Sequence, residues 1–345
     1  MSTRGDRFEE WFQAPLPEES SDPRFEVRRA HPSEFERLYD LVDEAFGGKR
    51  SRAAFDWLYR DNPAGVAHCW VAEEKATGRL VCQNALWPWP TAYGAEPHFC
   101  YLSGDFAVAL DWQRHGITEL LRQGWHRHPL DAARTKLGWP NEKTRGQFQK
   151  RGHTHELVGP LLEGAFHVGG GLRRRWKRLL GTTRSRGLRI EELTRFDSGF
   201  DALTRCSMAW PGFWCPHDAD FLNWRYFAHP THTYRALAAL DGDDPAAYCV
   251  LRTEGHAALL MEFAAPEASG ARRLILRHAL EAAREAGCRR LAFYAPAGWR
   301  HWPSFRNAGF AERRSRRYLF VQGTPDPDAY RIESWQVLPG DCDDA

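Results

Sequence analysis

The sequence predicts an α+β chain built from two similar domains, and three observations carry that prediction. Residues Gly104–Leu121 read as a buried strand, a tight turn and the start of a helix. The pattern Trp-x-Tyr-x-x-x-Pro occurs at Trp57–Pro63 and again at Trp224–Pro230. The chain has 345 residues, room for two domains of roughly 100–200 residues each.

The elements follow in order. Residues 1–24 are an extension whose first residues lack the apolar core of a signal peptide. A helix ends near Trp57, and Cys69–Ala72 is a strand. In the strand after Gly104, Phe106, Val108 and Leu110 share one face, while Asp105, Ala107 and Ala109 share the other. The second face is small, as a strand beside a ligand must be. Ile117, Leu120, Leu121 and Trp125 recur at helical spacing until Pro129. A short strand near Leu137 ends in Gly138-Trp139-Pro140-Asn141, and a further helix closes at Gly152.

The second half repeats this order. The Trp-x-Tyr segments are offset by 167 residues, and Phe148-x-x-x-Gly152 recurs as Phe305-x-x-x-Gly309 at an offset of 157. Tyr234–Ala238 and Leu291–Tyr294 are the matching strands. Leu276, Ala279, Leu280, Ala283 and Ala286 line a helix that Gly287 stops. The expected organisation is residues 1–24, 25–168, a basic linker at 169–187, 188–325 and a tail at 326–345. In the linker, Leu172, Trp176, Leu179 and Leu180 share a helical face opposite basic residues, which reads as a packed linker helix with solvated charges. In the tail, Trp335 is an anchor and the acidic run Asp341-Cys342-Asp343-Asp344 is solvated.

Composition excludes several classes. A net charge of +2 gives no global attraction to nucleic acid. No apolar run reaches the roughly 20 residues that span a bilayer. The eight cysteines are scattered without a Cys-x-x-Cys pair, the usage of reduced cytoplasmic thiols rather than of a disulfide frame or zinc site. Cys100 reads as a buried structural thiol. The 15 tryptophans, Trp87, Trp89 and Trp112 among them, read mainly as core and domain contacts.

The turn at Gln113–Thr118 carries the chemistry. Backbone N–H groups at a helix start have no partner within the helix, and Gly116 permits positive φ, so a diphosphate fits in front of them. This segment, Gln113-x-x-Gly116-x-Thr118, resembles the acyl-CoA signature Gln/Arg-x-x-Gly-x-Gly/Ala of the GNAT superfamily of N-acyltransferases. Thr118 departs from it. Phe148-x-x-x-Gly152 resembles the family's Tyr-x-x-x-Gly, with Phe148 the departure. The resemblance covers residues 100–155.

The resemblance implies tandem domains, each a mixed, mostly antiparallel sheet flanked by helices. It implies acetyl-CoA or another acyl-CoA as cosubstrate, no metal, and a small-molecule amine, an amino sugar among the options, as acceptor. Gln113 and the N–H groups of Arg114, His115, Gly116, Ile117 and Thr118 are then expected on the pyrophosphate. Asn141 is expected on the pantetheine arm or as a helix N-cap, and backbone of Phe106, Ala107 and Val108 on the developing oxyanion. Asp105, placed near the start of its strand, is the expected base or substrate-orienting carboxylate. Tyr101, His153 or solvent supplies the proton that Phe148 cannot. In the second half Arg273 stands where Gly116 should, so that half is expected to be degenerate. Two other classes fit parts of the sequence. One is an aminoacyl-tRNA-dependent transferase, which needs no such loop; the other is an acyl-CoA-binding scaffold without turnover.

Overall fold

The structure is a computed structural model. It describes residues 4–14, 20–48, 50–127, 134–150, 152–168, 187–208, 210–266, 270–324 and 326–342. The basic linker helix expected within 169–187 lies outside the described residues except for its last position. The chain forms two compact units. One comprises residues 1–89, 99–138 and 321–326; the other comprises 90–98, 139–320 and 327–345.

The first unit contains helix α1 (Arg4–Gln13), strand β1 (Phe25–Ala30), helices α2 (Phe35–Phe46) and α3 (Arg52–Tyr59), and strand β2 (His68–Glu74). It holds most of β3 (Arg79–Tyr93) and β4 (Glu96–Val108), then α4 (Ile117–Arg127) and β5 (Thr135–Gly138). Its sheet runs β1-β2-β3-β4-β5. β1 and β2 pair antiparallel, as do β2 and β3, and β5 lies parallel to β4.

Each helix end has a local cause. α2 stops at Gly47, whose φ of 90° takes the left-handed conformation that a helix C-terminus favours. Ser51 caps α3 by accepting the Ala54 N–H at 3.2 Å. α4 buries the predicted stripe, Ile117, Leu120, Leu121 and Trp125, against Trp70, Leu86 and Tyr101. It lies so close to the sheet that a Cβ on Gly124 would overlap Val27 Cγ1. Gly124→Ala is therefore expected to lower stability by about 1–3 kcal/mol, the usual cost of overpacking. Adding Val27→Ala should recover part of it. Urea melts of the four proteins give the coupling, and a neutral Gly124→Ala would refute the close approach.

The second unit begins with α5 (Glu142–Lys150) and β6 (Leu157–His167) and continues with β7 (Leu188–Leu193), α6 (Gly199–Met208) and β8 (Phe213–Trp214). The single turn α7 (Ala219–Leu222) runs on as a π-helical segment, Asn223–Phe227. β9 (Tyr234–Asp241), β10 (Asp244–Glu254), β11 (Ala257–Ala264), α8 (Gly270–Glu285), β12 (Arg290–Ala295), α9 (Trp302–Ala308), β13 (Ala311–Gln322) and β14 (Trp335–Gln336) complete it. The sheet order is β13-β6-β12-β11-β10-β9-β7.

The run β7-β9-β10-β11-β12 reproduces β1-β2-β3-β4-β5, with β11–β12 parallel as β4–β5 is. α8 occupies the connection between the parallel strands, as α4 does. The fold is thus α+β, and each unit carries a mixed, mostly antiparallel run of strands flanked by helices. β6, the last strand of the sequence's first half, pairs antiparallel with β12 inside the second unit.

Two expectations change. Leu110 leaves the strand, because β4 ends at Val108; it sits in a 3-10 turn and is exposed. Asp341 is buried rather than solvated. Trp335 is an anchor: it stacks on Phe213 at 4.6 Å and donates its indole N–H to Ala329 O at 2.8 Å. Among the described residues, no helix is long and apolar enough to cross a membrane.

Candidate active site

The loop has the predicted backbone. Gly116 has φ 80° and Arg114 φ 70°, the second an uncommon conformation for a residue with a side chain. Left-handed residues in a tight run turn successive N–H groups toward one concavity. Inside α4 the Glu119 N–H donates to Gly116 O at 2.9 Å. Gln113 donates its amide to Val108 O at 3.4 Å, and His115 Nδ1 lies 3.0 Å from Gln113 O, so both side chains brace the bend. A Cβ on Gly116 would meet nothing within 4 Å. The bend is open to solvent rather than filled.

β4 and β5 pair only at the end of β5 far from this loop. Their register holds for Cys100↔Thr135, Tyr101↔Lys136 and Leu102↔Leu137. β5 then ends at Gly138, while β4 runs on to Val108. Ala109 N–H is committed to Val81 O at 2.9 Å, on the β3 side. Strand alternation therefore turns the N–H groups of Val108 and Phe106 toward the opposite edge. That edge is where a thioester arm leaving the loop can add hydrogen bonds. Ala107, on the small face of the strand, is buried.

Asp105 lies near the end of β4, not near its start, and its φ of 44° marks an irregularity in the strand. The irregularity reverses the alternation of faces. Before it, Phe99 and Tyr101 point toward the core beneath α4; after it, Phe106 and Val108 do. Asp105 itself points toward α3. Its carboxylate forms an ion pair with Arg50 and accepts the Tyr59 hydroxyl at 2.9 Å. Gln83 donates to Asp105 O at 2.9 Å and Asn84 to Gly104 O at 3.0 Å, so two side chains of β3 satisfy the displaced carbonyls. Burial first, and the Asp105 charge second, push the Tyr59 phenol well above its ordinary range, so it stays a donor.

The other expected site residues separate. Tyr101 is fully buried, and its hydroxyl meets His68 Nδ1 and Arg134, which donates at 2.6 Å. It lies on the opposite face of the sheet from Asp105, so the two do not meet. Asn141 and His153 belong to the second unit. Asn141 caps α5 by accepting the Thr144 N–H at 2.9 Å. His153 Nδ1 lies 3.9 Å from Glu156. Phe148 packs on Phe320 at 4.8 Å.

Sequence reasoning missed Arg50, Tyr59 and Gln83 around Asp105. A signal existed for two of them. Tyr59 is the tyrosine of the repeated Trp-x-Tyr pattern, and its counterpart Tyr226, 167 residues on, also reaches a buried carboxylate, Glu262 Oε2, at 3.2 Å. Glu262 follows Asp105 at the second offset, 157. Arg50 at the first offset falls on His217, which pairs with Glu262 at 2.7 Å. Each unit thus holds a cation, a carboxylate and a tyrosine in the same sequence relation.

A left-handed bend at a helix start, beside a parallel strand pair of which one strand stops early, belongs to a known architecture: the chain has the fold of the GCN5-related N-acetyltransferases and related N-acyltransferases. Three solved structures place it there. An Enterococcus faecalis V583 protein described as a probable N-acyltransferase is 9% identical, with TM-score 0.65 over 86% of this chain and 72% of that one. A GCN5-related N-acetyltransferase from Kribbella flavida is 14% identical, with TM-score 0.55 over 87% and 70%. Saccharomyces cerevisiae N-myristoyltransferase with bound myristoyl-CoA is 12% identical, with TM-score 0.52 over 92% and 88%. No protein-family model and no curated protein sequence matches the chain.

Proposed function

We propose that the first unit is an acyl-CoA-dependent N-acyltransferase that moves an acetyl or longer acyl group to a primary amine. The observation that supports this best is the open edge of β4 beyond Leu102, aimed at the empty bend at Gly116. In this reading the N–H groups of Arg114 to Thr118 hold the pyrophosphate, and the thioester arm lies along β4. The side chain of Arg114 adds positive charge there.

The amine attacks the thioester carbonyl carbon directly. Its nitrogen forms the amide bond and the carbon–sulfur bond breaks. N–H groups of Phe106 and Val108 stabilise the developing oxyanion. Asp105 takes the amine proton. Arg50 and Tyr59 both bond Asp105 Oδ2, and the acceptor's ammonium approaches Oδ1 before it gives up its proton. The CoA thiolate leaves without a protein acid, since an ordinary thiol pKa near 8.5 makes it a competent leaving group. The cysteines described with side chains are buried and outside disulfides, which fits a cytoplasmic setting.

Calorimetry with acetyl-CoA tests the cradle. Gly116→Trp puts bulk into the bend and strains a left-handed residue, and is expected to weaken binding at least about tenfold, or 1.4 kcal/mol. Equal affinity for both proteins would remove the loop from the site.

A further inference from the structure

We propose that the second unit holds a zinc-class divalent metal on Cys215 Sγ, His217 Nε2 and Asp341 Oδ1. One ligand atom from each of these residues lies within 4.8 Å of the other two, and all three residues are buried. His217 Nδ1 is held by Glu262 Oε2 at 2.7 Å, which fixes the ring and leaves Nε2 facing the cluster. A carboxylate behind one ring nitrogen is the usual support of a metal-bound histidine.

The facing atoms are at ion-pair distance, without hydrogen-bond geometry. His217 Nε2 and Asp341 Oδ1 are 3.0 Å apart, yet neither has a hydrogen-bond partner. A hydrogen bond needs the N–H aimed at the oxygen, whereas two ligands of one ion aim at a common third point. Zinc holds nitrogen and oxygen ligands at about 2.0–2.2 Å and sulfur at about 2.3 Å, so closing the site needs a contraction of roughly 1 Å. Glu262 Oε1 is buried without a hydrogen-bond partner beside the same cluster.

The site would tie the C-terminal segment to the unit. Asp341 Oδ2 accepts the Leu338 N–H at 2.9 Å, Arg225 donates to Gly340 O at 3.0 Å, and a Cβ on Gly340 would overlap the Tyr226 hydroxyl. This segment brings its carboxylate to the second unit's equivalent of the Arg50–Asp105–Tyr59 cluster. The offset of 167 puts Gly48 where Cys215 stands, so the first unit lacks the thiol, and the metal belongs to the second unit alone.

Elemental analysis of the full chain purified without chelator tests this, with zinc and cobalt titrations as second measurements. The expected result is about one zinc per chain, a melting temperature that falls with a chelator and returns with zinc, and a thiolate-to-cobalt absorption band that Cys215→Ser abolishes. A chain that binds neither ion, with melting unmoved by zinc or chelator, overturns the proposal and leaves an ion pair of His217 with Glu262 and Asp341. Cobalt bound without the thiolate band also overturns it. Both readings use the native protein, so a variant that fails to fold does not blur the answer.

Discussion

Asp105→Asn is expected to lower turnover about 10²–10⁴-fold, the usual contribution of a positioned proton acceptor, while acyl-CoA affinity stays within about twofold. Asparagine keeps an oxygen for the Tyr59 hydroxyl and for Arg50, so the geometry of the bulge survives better than with alanine. The pH profile separates a base from a positioning carboxylate. An alkyl amine has an ordinary pKa near 10.4. If Asp105 removes its proton, the variant's rate climbs with pH as solvent does that work, and the gap to the native protein narrows. If Asp105 only holds Arg50 and the strand in place, the gap is the same at every pH. A native rate in Asp105→Asn, measured as thiol release with an amine panel, would remove the residue from the mechanism.

Gly164→Ala is expected to be among the most damaging single methyls in the second unit. Gly164 lies on β6 opposite Phe293 of β12. A Cβ there would overlap the Phe293 ring edge and sit 3.0 Å from Trp302. The ring cannot step aside. Trp299, Trp302, Phe305 and Phe310 surround it at centroid distances of 4.7–5.8 Å. Overpacking costs about 1–3 kcal/mol where neighbours can yield, and a boxed ring puts this site at or above the top of that range. Thermal melting should fall by several degrees at least, since roughly 2–4 °C follow each kcal/mol in domains of 150–250 residues. Phe293→Leu in the same chain removes the overlapping atoms, so the double variant should be more stable than the sum of its parts. Melting of Gly164→Ala at the native temperature would mean that β6 does not approach β12 so closely.

Much of the fold was legible because its signals are local. The stripe of α4, the end of α8 at Gly287 and the positive φ of Gly116 each depend on residues within a few positions of one another. The duplication was legible as an aromatic pattern, and the pattern proved to carry chemistry: Tyr59 and Tyr226 each donate to a carboxylate. Reading the pattern as a mark of duplication alone missed this, since a tyrosine's ring and its hydroxyl serve different neighbours. Asp341 shows the opposite limit. An acidic run near a chain end is ordinarily solvated, and nothing nearby in sequence announces that His217 waits for it.

The chain's own order of residues determined the strand, bend and helix at 104–121 and the recurrence of the strand and helix in the second half, because apolar spacing and left-handed glycines act over one or two turns of backbone. Tertiary structure alone decided that β5 stops short beside β4, that Asp105 turns away from Tyr101, and that Arg50 meets Asp105. Those outcomes depend on a strand irregularity and on burying together groups from distant parts of the chain. The free energy of such pairings belongs to the folded ensemble of contacts and to no single segment.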